Sequence, residues 1–357
     1  MKILRFYISL FPKKGGMEKH ISCLSSLQDK DHPTTTFFNY GTKISNKDVR
    51  ILSGIPLYKI HPAFIRFFIF YFFSILKLLS LQKKYDVIHI HGDWSSLMYA
   101  SILKKIVSGT LVVFSFHGQF TSNFRHRVLL KYFLKNVNLV FATGYDSFKN
   151  IYKHKHMNVY FQPSGISDVF FKNNTNHLFN KSSRVVTVAN FYTVKNLSFI
   201  MKIAKECPQL DFIIIGDGPE KKNLQYLIIE NKLKNVLLRG YLSSELIIKE
   251  CENSFCFLLT SFFEGTPTAI LEAMALGLPI VTSSAGGIEA LVKDYRNGFV
   301  IHDFDEKKYK NAIELLHFNS KLRQIIRNNN ILLTKQFSWQ NIANNITGII
   351  KREYEKN

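Results

Sequence analysis

Short apolar runs alternate along the chain with longer segments whose hydrophobic positions recur at helical spacing. In the first half the apolar runs include KILRFYIS (2–9), YDVIHIHGD (85–93), TLVVFSFHGQ (110–119) and NLVFATG (138–144). In the second half they include RVVTVAN (184–190), LDFIIIGDG (210–218), NVLLRG (235–240) and FCFLLTS (255–261). Strands that alternate with helices in this way predict an α/β protein with a parallel sheet in each half.

The pattern is interrupted once, over residues 161–183, where the chain becomes polar and loses its periodicity. A total of 357 residues is enough for two domains. We therefore predict a first domain over residues 1–165, a linker over 166–183 and a second domain over 184–336. The remaining segment, 337–357, predicts an amphipathic helix that Ser338 caps and that packs back on the first domain.

The segment FFEGTPTAILEAMALGLPIVTSSAGG (262–287) predicts a loop, a short helix and a strand. Thr266 is suited to cap the helix and Pro267 to occupy its first position, where no N–H group is needed. Glu264 lies on the loop, and Glu272 shares a helix face with Thr268, four residues earlier. Such loops lie at the carboxyl end of a parallel sheet, where open α/β folds bind ligands.

Two interpretations of this acidic pair are open from these residues alone. Glu264 and Glu272 could be solvated surface groups, as helix glutamates commonly are. They could instead bind the hydroxyl groups of a polyol whose phosphate faces the free N–H groups of the first helical turn. The second interpretation is favoured by the apolar composition of the helix AILEAMAL, which offers no polar face for Glu272.

The charge of the chain is unevenly distributed. The formal net charge is +21. Residues 1–181 contain 25 Lys and Arg against 8 Asp and Glu, whereas residues 182–357 contain 22 against 18. This asymmetry indicates an anionic partner for the first half, namely nucleic acid, an anionic membrane surface or an acidic substrate.

The segment IRFFIFYFFSILKLLSLQKK (65–84) predicts a helix that is apolar around most of its circumference. It is either a buried helix or one that lies in a membrane interface, and its uninterrupted apolar run is about half the length that spans a bilayer. No nucleic-acid-binding motif accompanies the positive charge. We therefore expect an anionic membrane surface, and no nucleic acid, as the partner. The cations assigned to this membrane or acceptor surface are Arg66, Lys77, Lys83 and Lys84.

No metal site is predicted. Asp303 and Asp305 have a spacing that some metal-dependent transferases use, but Asp305 directly precedes an amphipathic segment and is better suited to cap a helix. The cysteines have no metal-binding spacing and predict reduced thiols in a cytosolic protein. They are Cys23, Cys207, Cys251 and Cys256.

Taken together, these segments resemble glycosyltransferase family 4, the retaining nucleotide-sugar transferases of the GT-B fold. The resemblance is carried most strongly by VANFYTVKN, IIIGDGPEKKNL, LLRGYLS and the 262–287 segment, and more weakly by KKGGMEKH, DVIHIHGDW, FSFHGQ and PSGISDVF. It implies two Rossmann-like parallel-sheet domains that face each other across a cleft. The first would bind the acceptor and the second the nucleotide sugar.

The resemblance also implies roles for individual residues. Glu264 would bind donor-sugar hydroxyls, Glu272 the ribose, Lys195 the diphosphate, and the backbone at Thr266, Pro267 and Thr268 the sugar and diphosphate. Gly15 and Gly16 would let the first loop approach the donor, and His117 would lie beside the transferred sugar. Gly240 and Tyr241 would lie at the edge of the nucleotide base. The family usually places an arginine five residues before the lysine, and here that position is Asn190.

The implied reaction is the transfer of a sugar, with retention of configuration and without a metal, from a UDP- or GDP-sugar to a hydroxyl of a lipid-linked saccharide acceptor. We expect no cofactor besides this co-substrate. Surface polysaccharide or lipopolysaccharide synthesis by a cytoplasmic monomer, peripherally bound to the inner face of the membrane, would fit the basic first half. A sugar-nucleotide epimerase or phosphorylase of the same fold, or a nucleic-acid-binding protein, are the alternatives.

Overall fold

A computed structural model describes residues 1–10, 16–81, 84–107, 109–117, 128, 131–153, 158–172, 182–265 and 267–356. The chain forms two compact units. The first contains Met1–Gly165 and Trp339–Asn357, and the second contains Ile166–Ser338.

The described part of the first unit is built on a seven-stranded sheet in the order β3-β2-β1-β4-β5-β6-β7. The strands are β1 (Ile3–Phe6), β2 (Thr34–Phe38), β3 (Val49–Arg50), β4 (Val87–Gly92), β5 (Leu111–Phe116), β6 (Leu139–Ala142) and β7 (Asn158–Phe161). Neighbouring strands are parallel throughout, and Ile3 of β1 lies opposite Thr34 on one side and Val87 on the other. Every residue of β4 and β5 is buried, as expected for central strands covered on both faces.

The described part of the second unit has a six-stranded parallel sheet in the order β10-β9-β8-β11-β12-β13. The strands are β8 (Arg184–Val188), β9 (Asp211–Ile215), β10 (Val236–Gly240), β11 (Cys256–Leu259), β12 (Ile280–Ser283) and β13 (Gly298–Ile301). Both sheets have the Rossmann arrangement, in which the strand order reverses beside the first strand of the sheet. The reversal falls between β1 and β4 in the first unit and between β8 and β11 in the second.

Helices connect the strands in both units. In the first half of the chain they are α1 (Gly16–Gln28), α2 (Ala63–Ser80), α3 (Trp94–Ile106), α4 (Tyr145–Tyr152) and α5 (Val169–Lys172). In the second half they are α6 (Leu197–Glu206), α7 (Lys221–Glu230), α8 (Ser244–Glu252), α9 (Thr268–Ala275), α10 (Ile288–Leu291), α11 (Glu306–Phe318), α12 (Ser320–Thr334) and α13 (Trp339–Glu355). Among the described residues, no helix is long and apolar enough to cross a membrane.

Residues 166–172 of the predicted linker pack within the second unit. Ile166 and Phe170 are buried, and the backbone N–H of Ile166 donates to the carbonyl of Phe337 at 2.7 Å. Ile166 also forms a parallel bridge with Ser338. Residues 173–181 of the linker lie outside the described part of the chain.

Helix α13 starts directly after Ser338 and completes the first unit. Its buried face includes Ile346 and Ile350. Hydrogen bonds attach it to the rest of this unit; among them, Gln28 Nε2 donates to Thr347 Oγ1 at 2.9 Å, and the Tyr354 hydroxyl donates to Asp86 at 3.2 Å. The first unit is therefore assembled from two segments of chain.

Candidate functional site

A cavity of about 270 Å³ opens in the second unit at the carboxyl ends of β8, β9, β10 and β11. This is the edge at which the strand order of the sheet reverses, and ligands of open α/β sheets bind there. Its lining includes most of the residues that the sequence predicted for the donor: Asn190, Lys195, Tyr241, Glu264, Pro267, Thr268 and Glu272.

Glu264 is held in this cavity by an ion pair. Its two oxygens accept from Lys195 Nζ at 2.7 and 2.9 Å, and its Oε1 also accepts from Ser261 Oγ at 2.5 Å. Glu264 is only 6% exposed, so this pairing compensates the removal of its carboxylate from water. Lys195 ends the 3₁₀ turn Thr193–Lys195 after β8, and Glu264 follows β11. Neighbouring strands therefore bring together residues that are 69 positions apart.

The charges that line the cavity are unbalanced. Of the described residues in its lining, Lys195 is the only lysine or arginine, while Glu264 and Glu272 are both carboxylates. Asn190, at the position where the related family usually has an arginine, contributes no charge. A diphosphate bound here would therefore depend on Lys195 for its cationic partner.

The start of α9 differs from the prediction. The helix begins at Thr268 and is preceded by Pro267, whose ψ of 91° is not helical and which provides no side-chain cap. The prediction that Pro267 is the first helical residue was wrong by one position, because its backbone is extended. Thr266, the predicted cap, lies outside the described residues. Glu272 lines the cavity one turn after Thr268, as the predicted shared face requires.

Two glycines shape the edge of the cavity. A Cβ at Gly216, which follows β9, would lie 1.8 Å from the Ala189 carbonyl oxygen, so no other residue fits this close approach. Gly240 has a φ of 68°, a left-handed conformation that favours glycine, and Tyr241 after it is 69% exposed. Sequence reasoning singled out Gly240 and Tyr241 but missed Gly216, although the GDG sequence after a strand was a usable signal.

The remaining predicted donor residues belong to the first unit. Gly16 is the first residue of α1, and Gly15 lies outside the described residues. His117 directly follows β5, and His91 lies within β4. The two histidines are joined by a hydrogen bond between His91 Nδ1 and His117 Nε2, at 3.1 Å.

A third histidine, which sequence reasoning missed, joins this pair. His20 of α1 makes ring contacts with both His91 and His117, and its Nδ1 is hydrogen-bonded to Ser164 Oγ at 3.0 Å. One ring nitrogen from each histidine lies within 4.8 Å of the others, a grouping that could hold a metal ion. The signal in the sequence was the placement of His20 one helical turn after Gly16, on the helix that follows the Gly-Gly loop.

Burial keeps these histidines neutral. Desolvation lowers the pKa of His20 and of His91 well below the ordinary 6.5, and nearby Arg5, which is fully buried, lowers both further. Burial likewise lowers the pKa of His117 to about 3. His89, two residues before His91 on β4, has a pKa lowered by the same causes, burial first and Arg5 second. The group therefore offers uncharged imidazoles at neutral pH.

This neutrality predicts a loss of stability in acid. A histidine whose pKa is lower in the folded state than in the unfolded state is protonated only after unfolding, so stability falls as the pH drops below 6.5. We expect the free energy of unfolding to fall by up to about 1.4 kcal/mol per pH unit for each of His20, His89 and His91. Melting temperatures between pH 7.5 and 5.5 measure the effect.

Two variants control this prediction. His89→Gln should reduce the loss of stability between pH 7.5 and 5.5. His302→Gln should leave that loss as it is in wild type, because the side chain of His302 is 73% exposed. An equal fall in melting temperature between pH 7.5 and 5.5 in the two variants would contradict the assignment of the acid sensitivity to the buried histidines.

The aromatic helix α2 has one buried face and one exposed apolar face. Phe70, Tyr71, Ser74 and Leu78 are buried. The exposed apolar residues are Phe64, Ile65, Phe68, Phe72, Phe73, Leu76 and Leu79. At about 100° per residue, Arg66 and Lys77 fall within roughly 20° of each other at the border between the two faces. Lys84 lies beyond the end of the helix, and Lys83 lies outside the described residues.

Asp303 and Asp305 lie just before α11. Asp305 caps α11 by accepting from the Lys307 N–H at 2.9 Å, as predicted. Asp303 forms an ion pair with Lys308. Both carboxylates therefore have local structural partners.

Two Rossmann-like parallel sheets, one in each compact unit, define the GT-B fold. The sequence model described as "Glycosyltransferase Family 4" matches residues 14–192, and the one described as "Glycosyl transferases group 1" matches residues 169–354. The chain belongs to glycosyltransferase family 4 and is a glycosyltransferase.

Several known proteins are similar to this chain. The phosphatidylinositol N-acetylglucosaminyltransferase GPI3 subunit of Saccharomyces cerevisiae is 23% identical over 366 residues, which cover 93% of this chain and 79% of the yeast protein. The UDP-Gal:alpha-D-GlcNAc-diphosphoundecaprenol alpha-1,3-galactosyltransferase of Escherichia coli is 28% identical over 268 residues, 67% of this chain and 68% of its own. The structure of the lipopolysaccharide outer core galactosyltransferase WaaB aligns with a TM-score of 0.75 at 17% identity, over 99% of this chain and 100% of WaaB.

Proposed function

We propose that this protein transfers a sugar from a UDP-sugar to a hydroxyl group of a lipid-linked saccharide, with retention of configuration, during synthesis of a surface polysaccharide or lipopolysaccharide. The observation that carries the proposal is the cavity at the carboxyl edge of the second sheet, where Lys195, Glu264 and Glu272 converge. The names of the yeast and bacterial relatives, which include a lipid, support the acceptor class. UDP is favoured over GDP because the bacterial relative is named for UDP-Gal.

Each polar group of the cavity has a role in donor binding. Glu272 accepts hydrogen bonds from ribose hydroxyls, and Tyr241 lies beside the base. Lys195 neutralises the diphosphate, which requires it to turn from Glu264 toward the phosphate oxygens. Glu264 then becomes available to accept hydrogen bonds from the hydroxyls of the donor sugar. The Lys195–Glu264 ion pair thus holds both groups at the reacting position before the donor arrives.

Retention follows from a reaction on one face of the sugar. The bond between the anomeric carbon and the diphosphate oxygen breaks as the acceptor oxygen bonds to the same face. The proton of the acceptor hydroxyl passes to the departing diphosphate oxygen. Glu264 does not act as a nucleophile in this scheme, because its carboxylate binds hydroxyls of the donor sugar, whereas double displacement needs a carboxylate at the anomeric carbon. The protein contributes positioning and electrostatic stabilisation.

The proposed transfer uses no metal ion and no cofactor besides the nucleotide sugar. Lys195 supplies the positive charge that a divalent cation provides in metal-dependent transferases. His117 acts as a neutral imidazole beside the transferred sugar, since burial keeps its pKa low.

The acceptor is reached at the inner face of an anionic membrane, on which this cytoplasmic protein lies as a peripheral monomer. The exposed apolar face of α2 supports this placement, because rings such as Phe68 and Phe72 would otherwise remain in water. Arg66 and Lys77, at the border of that face, would contact lipid headgroups. The positive excess of residues 1–181 is complementary to an anionic surface.

A panel of nucleotide sugars tests the donor assignment. At 100 times the dissociation constant a bound ligand stabilises the protein by about 2.7 kcal/mol, which raises the melting temperature by roughly 2–4 °C. We expect UDP-glucose or UDP-galactose to give this shift and the GDP- and ADP-sugars to give less. No shift with any nucleotide sugar would refute the proposed function, and a larger shift with GDP-sugars would refute the choice of base.

Sedimentation with vesicles tests the membrane assignment. We expect binding to phosphatidylglycerol-containing vesicles that weakens about fivefold for each lysine removed in Lys77→Gln and Lys84→Gln, since a cation near an anionic surface contributes about 1 kcal/mol. Binding should also weaken as salt is raised. Lys202→Gln, an exposed lysine of the second unit, is the matched control. Binding that is indifferent to salt and to the α2 lysines would contradict the placement.

A further inference from the structure

A second cavity, of about 100 Å³, lies in the first unit at the carboxyl ends of β1 and β4. The strand order of the first sheet reverses between these two strands, so the cavity occupies the position at which open α/β sheets bind ligands. Two segments that follow or end these strands, Tyr7–Ser9 and His91–Asp93, form its floor, and helix α2 contributes Arg66 and Phe67. The remaining lining residues are Met17, Tyr58, Tyr71 and Ser96.

The size of this cavity limits what it can hold. At about 100 Å³, it is smaller than the roughly 300 Å³ of a pocket that encloses a whole small molecule. The cavity therefore fits one compact group of a larger ligand.

Some polar side chains that line the cavity have hydrogen-bond or ion-pair partners among the described residues, and others do not. Arg66 is half-buried, and among the described residues no carboxylate lies within ion-pair distance of its guanidinium, which lies over the Phe67 ring at 5.4 Å. His91 is 1% exposed, and its Nε2 has no hydrogen-bond partner among the residues that the structure describes. Asp93 is already engaged, because it accepts from the Ser95 N–H at 3.0 Å and from Ser95 Oγ at 2.6 Å. The guanidinium of Arg66 thus remains available to a ligand.

We propose that this cavity binds a phosphoryl group of the acceptor, with Arg66 as its cationic partner. The inference rests on the proposed transfer to a lipid-linked acceptor. A guanidinium matches the oxygens of a phosphate with paired N–H donors, and a phosphoryl group has the size that the cavity allows. Hydroxyl groups next to the phosphate would find Ser9 and Ser96 in the same lining.

The surroundings of the cavity agree with such a ligand. Arg66 belongs to α2, so a lipid chain esterified to the bound phosphate could follow the exposed rings of Phe64 and Phe68 on the same helix. On the other side, His91 is hydrogen-bonded to His117. The phosphate would therefore be held between the apolar helix and the histidine that the family resemblance places beside the transferred sugar.

Glucose 1-phosphate, a soluble sugar phosphate, is the probe, and its affinity is measured by calorimetry with saturating UDP so that the nucleotide cavity of the second unit is filled. We expect Arg66→Gln to weaken binding at least about tenfold, as loss of a charge-assisted phosphate contact does. Lys105→Gln is the matched control, because Lys105 is an exposed lysine of α3 in the same unit and lies outside the cavity lining, and it should change the affinity by less than about twofold. Inorganic phosphate should compete with the probe in wild type.

Three results would overturn the proposal: equal affinity of wild type and Arg66→Gln for the probe, equal affinity of wild type for glucose and glucose 1-phosphate, or an equal loss in Lys105→Gln. Melting temperatures confirm that both variants are folded. If wild type does not bind UDP, the proposed function has failed. The affinities of wild type and Arg66→Gln for glucose 1-phosphate are then compared without UDP, which tests the present inference separately.

Discussion

Replacing Lys195 by methionine is expected to lower kcat by roughly 10²–10³-fold, because one oriented charge at the leaving group commonly contributes that much to a rate. Among the described residues that line the nucleotide cavity, no other lysine or arginine can take over the neutralisation of the diphosphate. The substitution also leaves Glu264 buried without its cation, so part of the effect could come from lost stability. Steady-state kinetics and a melting curve, measured on the same preparation, separate the two.

Two further variants sharpen this experiment. Lys195→Met combined with Glu264→Gln removes the unpaired buried charge and should restore the melting temperature but not kcat. Lys195→Met combined with Asn190→Arg places a cation where the family usually has one and should recover part of kcat. A loss in kcat smaller than about fivefold in a folded Lys195→Met protein would show that the diphosphate is neutralised elsewhere.

Replacing Glu272 by alanine is expected to weaken UDP binding by about 10- to 100-fold, the effect of removing hydrogen bonds from ribose hydroxyls to a charged acceptor. Glu272 lies on α9, in the lining of the cavity and one turn from Thr268. Calorimetric titration with UDP measures the change directly. Glu230→Gln, an exposed glutamate at the end of α7, is the control and should bind UDP as wild type does.

The two substitutions differ in the kinetic parameter that they change. In the proposed mechanism, Glu272 makes a contact that is equal in the ground state and the transition state, so Glu272→Ala should raise KM and largely keep kcat. In the same mechanism, Lys195 makes an interaction that strengthens as charge develops on the leaving diphosphate, so Lys195→Met should lower kcat. UDP affinity that is unchanged in Glu272→Ala would remove the ribose from the functions of this glutamate.

Much of the fold could be predicted from the sequence because alternating strands and helices leave a strong periodic signal. The family assignment and the GT-B fold were confirmed by the matches of both family models and by the paired Rossmann-like sheets. The capping role of Asp305 was also confirmed, since a carboxylate directly before an amphipathic segment has a local explanation. Each of these inferences rests on patterns among residues that are close together in the sequence.

The contacts that complete the sites could not be predicted, because they join distant parts of the chain. Nothing in the spacing of Lys195 and Glu264 indicates that they form an ion pair, since this depends on the adjacency of β8 and β11. The contact of His20 with His91 likewise depends on how α1 packs against the first sheet. The position of Pro267 was wrong by one residue because a proline is compatible with the first helical position and with the extended residue before it.

Helix α13 has a consequence for the synthesis of the chain. The first unit contains residues on both sides of the second unit in sequence, and the buried residues of α13, including Trp339 against His20, belong to its core. The ribosome makes residues 166–338 before it makes this helix. The first unit therefore cannot complete its fold until the second has been synthesised, and part of its apolar surface stays uncovered until α13 leaves the exit tunnel.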